Sequence, residues 1–191
     1  PILFNIFISD LPALLGKSEN LPPKIYNSET LGCILWADDL VLLSEEEIGL
    51  RKMLGELETY ASDNGLKINE DKSKCMIFNK TGRLIRRTFS CGNLTMNSVR
   101  EYKYLGFMIT PSGEVTTGLK DLKSRGAYAL AQLRKKLGLN FRKYPKITLY
   151  IFDSLAKPIL MYMSDFWGSL IKHKLDNPIE LIHYRFLKQL L

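Results

Sequence analysis

Residues 31–44 read "LGCILWADDLVLLS", two short runs rich in Ile, Leu and Val, Gly32 to Trp36 and Leu40 to Ser44, with Ala37, Asp38 and Asp39 between them. Apolar runs of this length suit buried β-strands, and the short interval suits a tight turn. The stretch predicts strand, turn, strand, with both acids at the tip. Burying an unpaired carboxylate costs several kcal/mol, and two adjacent ones also repel each other. No Lys or Arg occurs between Lys24 and Arg51 to neutralise them locally. Either the turn projects both acids into solvent, or a cation compensates them. Asp is an ordinary turn residue, which favours the first option. The turn lacks the Gly or Asn of a usual two-residue hairpin, which weakens it. Mg²⁺ prefers hard oxygen ligands, often one or two carboxylates plus substrate phosphates. A carboxylate pair on a rigid hairpin is therefore a suitable platform for phosphoryl transfer.

Working outward, "PILFNIFISDLPALL" opens on Pro1, favoured at the first position of a helix, and continues with apolar residues at helical spacing. A helix that begins on its first turn, without an N-cap or an initiating Met, is expected to belong to a longer chain. On the other side, "SEEEIGLRKMLGELETYASDNG" opens with Ser44 and acids in its first turn, and is apolar at Ile48, Leu50, Met53, Leu54, Leu57 and Tyr60. It closes near Asn64 and Gly65, and predicts a capped amphipathic helix. "KSKCMIFNK" predicts a strand, "KTGRLIRR" a basic turn leading to "TFSCGNLTMN", and "VREYKYLGFMITPSGE" strand and turn. From about Val115 the pattern is helical over 115–138, 144–164 and 175–191. Strands and helices mix early and helices alone come late, so an α+β layer followed by a small helical bundle is expected.

Charge divides along the same line. Residues 120–191 hold fourteen basic and five acidic residues, whereas residues 1–119 hold thirteen and fifteen, within a net charge of +7. A basic C-terminal region suggests a polyanionic partner: nucleic acid first, an anionic membrane surface second, with a solvated lysine-rich helical face as the plain alternative. No apolar stretch approaches the roughly 18 residues of a membrane span, and no signal peptide is evident. Cys33, Cys75 and Cys91 lack metal-ligand spacing, and His173 and His183 lie in no recognisable motif. They read as packing residues of a reduced, intracellular protein rather than as a zinc site.

"WADD" between two apolar strands resembles motif C of reverse transcriptases. In the same order, "PILFNIFISDLP" resembles the helix that ends motif B, "GLKINEDKSKCMIF" motif D, and "YKYLGFMI" the primer-grip hairpin of motif E. The helices after residue 115 resemble the thumb. The nearest likeness is to the enzymes of non-LTR retrotransposons, the long interspersed elements of animals, especially the jockey-like group. The resemblance implies a partial palm over 1–114, with an antiparallel sheet and packed helices but lacking the fingers and first palm strand, and a basic helical thumb over 115–191.

It also implies roles. Asp38 and Asp39 would bind two catalytic Mg²⁺ ions that activate the primer hydroxyl and stabilise the departing pyrophosphate. Lys72, with Lys74 as substitute, would donate a proton to that pyrophosphate; the alternative for Lys72 is a solvated loop lysine. Tyr104, Leu105 and Gly106 would form the primer grip, or else an ordinary buried strand. Phe4 and Asn5 would lie near the incoming nucleotide and template. In "LKSRGAYALAQLRKKLGLNFRK", Lys123, Arg125, Arg134, Lys135, Lys136, Arg142 and Lys143 surround an apolar stripe of Leu122, Ala129, Leu130, Leu133 and Leu137. One helix face would pack while the other meets the backbone of an RNA–DNA hybrid. Tyr150, Phe152, Tyr162, Phe166 and Trp167 are expected to fill the bundle core rather than stack on bases. The implied partners are an RNA template, a DNA primer and dNTPs, without a membrane, in nucleus or cytoplasm.

Two departures qualify the likeness. Trp36 stands where the family carries Tyr or Phe. The other essential aspartate, in motif A, and the Gln-Gly loop of motif B do not occur in these residues, so the chain alone is expected not to polymerise until the remaining palm and fingers of the same polyprotein are supplied. Two readings follow: a piece of an RNA-directed DNA polymerase, or a non-catalytic nucleic-acid-binding remnant of a retroelement.

Overall fold

The structure, a computed structural model, describes residues 2–25, 29–137, 143–171 and 177–190. The chain forms two compact units. The first comprises Pro1–Cys75 with Ile85–Ser98, and the second Met76–Leu84 with Val99–Leu191. The second unit takes in the hairpin over 102–109, which packs with the later helices.

The first unit begins with two short helices, α1 (Ile2–Phe7) and α2 (Leu11–Leu15), rather than one helix over 1–15; Pro1 lies outside the described residues. The break falls just before Leu11-Pro12, where Pro12 sits in the first turn of α2, the part of a helix that tolerates a missing N–H. The predicted hairpin is present as β1 (Cys33–Trp36) and β2 (Asp39–Leu42), antiparallel. Its register pairs Cys33 with Leu42 and Leu35 with Leu40, and these four pack against the core of Leu11, Leu15, Met53 and Tyr60. The alternate residues Ile34, Trp36 and Val41 take the other face, as the period of two requires.

Helix α3 (Glu47–Asp63) follows and ends at Asn64, with Gly65 at φ +64°. Ser44 lies too early to cap it. Its hydroxyl instead donates to the Asn20 carbonyl at 2.9 Å, fastening the helix entrance to the 18–20 turn. Across α3, the Tyr60 hydroxyl donates to Asp10 Oδ1 at 2.6 Å, which joins α3 to the start of α2. That bond, with burial behind it, pushes the Tyr60 hydroxyl up to about 12. The neutral phenol is favoured in the folded state, so its contribution is complete below the ordinary value of 10 and fades as pH rises from there through about 12. Tyr60→Phe should cost about 1 kcal/mol in urea unfolding at pH 7, and the deficit should shrink above pH 10; a constant deficit across that window would assign the loss to packing instead.

A second hairpin, β3 (Thr88–Cys91) and β4 (Leu94–Asn97), turns at Gly92-Asn93 and buries Phe89, Cys91, Leu94 and Met96. Arg51 of α3 lies over the Phe89 ring at 4.9 Å and donates to the Thr88 carbonyl at 2.9 Å. The strand expected at 72–80 is reduced to one bridge, Cys75 with Ser98. The chain leaves the first unit at Cys75 and enters the second at Met76, so the segment runs along neither unit's strands for more than a residue.

In the second unit, β5 (Tyr102–Tyr104) and β6 (Phe107–Ile109) form a hairpin, followed by α4 (Thr116–Leu137). Next comes a helix with α5 (Pro145–Ile151), a wider π turn at Phe152–Ala156, and α6 (Lys157–Leu160). Pro158 explains the π turn: lacking an N–H, it cannot continue the α-helical ladder, and the preceding turn widens. This helix stops at Leu160 rather than 164; Met163 then takes φ +55° before α7 (Ser164–Trp167). Helix α8 (Pro178–Leu190) closes the chain. The core joins Phe107 to Leu119, Leu122, Phe152, Ala156, Leu160, Trp167, Ile179, Ile182 and Phe186.

The architecture is thus mixed helix and strand, as expected. Among the described residues the strands form three separate two-stranded ladders rather than one sheet. No helix among them is long and apolar enough to cross a membrane.

Candidate functional site

The β1–β2 tip carries the chemistry. Trp36 pairs with Asp39, leaving Ala37 and Asp38 as the two turn residues. Both acids are exposed, and neither carboxylate takes part in the ion pairs or side-chain hydrogen bonds of the described residues. Asp39 shares its face with Trp36, which is 66% exposed and so does not crowd the core beneath the turn.

Ala37 holds φ +53°, where an L-residue's Cβ crowds its own backbone. Strain of this kind persists when the surroundings fix it, and it gathers at working sites. Ala37→Gly should therefore stabilise the first unit by about 1 kcal/mol in urea unfolding; an unchanged or lowered midpoint would remove the strain argument.

The pair fits part of a hard-cation site. Its oxygens have no competing partner among the described residues, and a hydrated Mg²⁺ needs only one or two carboxylates beside substrate phosphates. Two acids do not make a closed cage, and no group of three His, Cys, Asp or Glu able to hold a metal occurs among the described residues. The thiols offer no alternative. Burial pushes Cys33, Cys75 and Cys91 up, Cys75 to about 11, so they stay protonated and poor as ligands.

The other expected residues divide between the units. Lys72 is exposed in the first unit, on a turn closed by its backbone N–H donating to Asn69 Oδ1 at 3.0 Å; Lys74 is exposed nearby in sequence. Phe4 and Asn5 lie on α1, which buries no residue and leaves Ile2 and Leu3 75% and 83% exposed.

In the second unit, Tyr104 ends β5, and Leu105 and Gly106 form its turn at φ +44° and +81°. Arg125 does not extend into solvent. It donates to the Gly106 carbonyl at 2.8 Å and pairs with Asp121 at 3.0 Å. Lys123, Arg134 and Lys135 rim a groove between α4 and α8 whose floor includes Ala127, Leu130, Ile182 and Phe186. Arg185 of α8 belongs to the same rim. The sequence reading missed it, although it lies three residues from Ile182 and one from Phe186, at the edge of the helix's apolar stripe.

Lys143 is exposed and rests over the Tyr144 ring at 5.4 Å. The Lys136 side chain and all of Arg142 lie outside the described residues. Of the aromatics expected in the core, Phe152 and Trp167 are buried, but Tyr150, Tyr162 and Phe166 are exposed. The π turn and the break after Leu160 rotate the later residues off the face that a continuous helix would present.

Comparison with known proteins bears on this geometry. Residues 1–109 match the family described as reverse transcriptase (RNA-dependent DNA polymerase). The chain is 33% identical over 125 residues to the retrovirus-related Pol polyprotein of the type-2 retrotransposable element R2DM of Drosophila melanogaster, a match covering 60% of this chain and 11% of that protein. It is 30% identical over 143 residues to a putative uncharacterized transposon-derived protein of Caenorhabditis elegans, covering 74% of this chain and 50% of that one. A Pol polyprotein of the type-1 element R2 of Nasonia vitripennis matches at 26% over 124 residues, 60% of this chain and 12% of that protein. The chain thus spans about a tenth of the R2 polyproteins and half of the nematode protein. No solved structure matches it significantly. The resemblance to enzymes of non-LTR retrotransposons is borne out on these R2 relatives, and the chain belongs to the reverse transcriptase (RNA-dependent DNA polymerase) family.

Proposed function

We propose that these residues are the part of an RNA-directed DNA polymerase that supplies one carboxylate arm of the nucleotidyl-transfer site, the primer grip and the thumb. The observation that carries the reading is the exposed Asp38–Asp39 pair, bonded by side chain to none of the described residues, at a strained hairpin tip. Asp38 and Asp39 would hold Mg²⁺, which when bound supplies charge neutralisation and Lewis acidity at the reacting phosphates. The rigid hairpin keeps Asp38 in place at no further entropic cost, and Lys72 serves as proton donor to the departing pyrophosphate.

Residues 1–114 act as palm and 115–191 as thumb. Tyr104, Leu105 and Gly106 seat the primer strand, while Phe4 and Asn5 lie toward template and nucleotide. Lys123, Arg134 and Lys135 on the α4 rim, joined by Arg185 and continued by Lys136, Arg142 and Lys143, meet phosphates of an RNA–DNA hybrid. Such contacts read shape and charge, which suits an enzyme that copies any sequence. The bare face of α1 is the surface that the remaining palm and fingers of the same polyprotein would cover.

Primer extension with Mg²⁺ and dNTPs tests the reading. The 191 residues alone should extend no primer, and extension should appear when upstream sequence bearing a further carboxylate is supplied. Hybrid binding with no extension under either condition would favour the remnant.

A further inference from the structure

We infer that Tyr162 and Arg125 are positioning residues that set the backbone of the Leu105-Gly106 turn for the primer strand, an inference that rests on reading that turn as the primer grip. Both central residues of the turn have positive φ, a geometry that favours Asn-Gly, yet Leu occupies the first position. Something outside the hairpin must hold it there. Two side chains distant in sequence do so, and each takes one of the two central carbonyls. The Tyr162 hydroxyl donates to the Leu105 carbonyl, and Arg125 donates to that of Gly106 at 2.8 Å.

Each holder is itself held. Arg125 is anchored by Asp121 at 3.0 Å, which also pairs with Lys103 of β5 at 3.5 Å. The Tyr162 carbonyl accepts from Trp167 Nε1 at 2.7 Å, and Tyr162 lies between the π turn and the left-handed Met163. The Tyr162 ring lies against Gly106, where an added Cβ would meet it at 3.4 Å, an ordinary van der Waals contact.

The consequence is directional. The peptide between Leu105 and Gly106 is planar and trans, so the Gly106 N–H points opposite the carbonyl that Tyr162 holds. The Phe107 N–H, in the peptide that Arg125 fixes, is taken up by the closing pair with Tyr104, so the Gly106 N–H is the donor left at the tip. With the Leu105 carbonyl held by Tyr162 and the Gly106 carbonyl by Arg125, the turn presents the Gly106 N–H as its donor, the polarity that a phosphodiester oxygen requires. Unusual backbone at Leu105, at Met163 and in the π turn converges on one contact, which is the pattern of a built device rather than of incidental packing.

The test uses the 191-residue chain and two RNA–DNA hybrids of equal duplex length, one blunt and one with a recessed DNA 3′ end carrying 2-aminopurine beside its terminus. The wild type should bind the recessed hybrid about tenfold tighter and change the 2-aminopurine emission. Tyr162→Phe should cut that preference to about threefold or less and abolish the emission change, with blunt-hybrid affinity retained. Arg125→Gln should do the same, so that a folding failure of either variant leaves the other to decide. Tyr150→Phe, on an exposed ring, should match the wild type. A wild type with no preference for the recessed end overturns the primer-grip reading and this inference with it. A wild-type preference that survives in folded Tyr162→Phe and Arg125→Gln overturns this inference alone.

Discussion

Asp38→Asn is expected to lower Mg²⁺-dependent primer extension about 10³-fold or more, in a polypeptide that joins this chain to upstream sequence carrying the further carboxylate. A loss of that size corresponds to about 4 kcal/mol of transition-state stabilisation, reasonable for removing a charged ligand from a site that must neutralise a reacting triphosphate. The substitution is nearly isosteric, and Asp38 is exposed without a side-chain partner among the described residues, so folding should not change. Hybrid affinity measured without Mg²⁺ should stay within about twofold or tighten slightly, because a negative charge near phosphates has been removed.

Asp39→Asn should cost less, about 10–10²-fold, since Asp39 is the first strand residue and shares its face with Trp36 rather than forming the turn itself. Extension by Asp38→Asn at even a tenth of the wild-type rate would show that the hairpin tip does not serve the reaction, whatever the family.

Local chemistry explains what was legible in the sequence. The hairpin could be read because both arms are short runs rich in Ile, Leu and Val on either side of a brief turn, whereas its register depends on which residues face the core: Cys33, Leu35, Leu40 and Leu42. The acids at its tip could be read because nothing nearby in sequence neutralises them. Helices α3, α4 and α8 announced themselves by apolar spacing, with ends within a few residues of those expected.

What was not legible depends on partners distant in sequence. Arg125 lies in a run of cations and reads as one more phosphate contact; only folding brings it to Gly106, nineteen residues back. The exposure of Tyr162 and Phe166 follows from a π turn and a break after Leu160 that periodicity at 3.6 residues cannot register. The strand expected at 72–80 failed because strand propensity requires a neighbour to pair with, and the chain there passes from one unit to the other.

Two glycines of α3 should respond to the same substitution with opposite signs. Alanine within a helix ordinarily stabilises by about 0.5–1 kcal/mol relative to glycine, because it limits the unfolded chain without adding polar surface. At Gly55 a Cβ would meet nothing within 4 Å. Gly55→Ala should therefore gain about that amount.

At Gly49 a Cβ would come within 2.2 Å of the Asn20 carbonyl oxygen and 2.4 Å of Ser44 Oγ. Neither neighbour can retreat cheaply. Asn20 is fully buried and donates to Leu15 O at 3.0 Å and Glu56 at 2.9 Å, while Ser44 donates to the Asn20 carbonyl itself. Making room means separating α3 from the 18–20 turn and straining the hydrogen bonds that join them, so Gly49→Ala should lose about 2–4 kcal/mol. The spread between the two variants, about 3–5 kcal/mol, is large enough to read from urea midpoints without extrapolation. Two variants that moved together would mean that α3 does not sit against Asn20. The hairpin entering α3 through Ser44 would then lose the support that keeps Asp38 and Asp39 at a fixed tip.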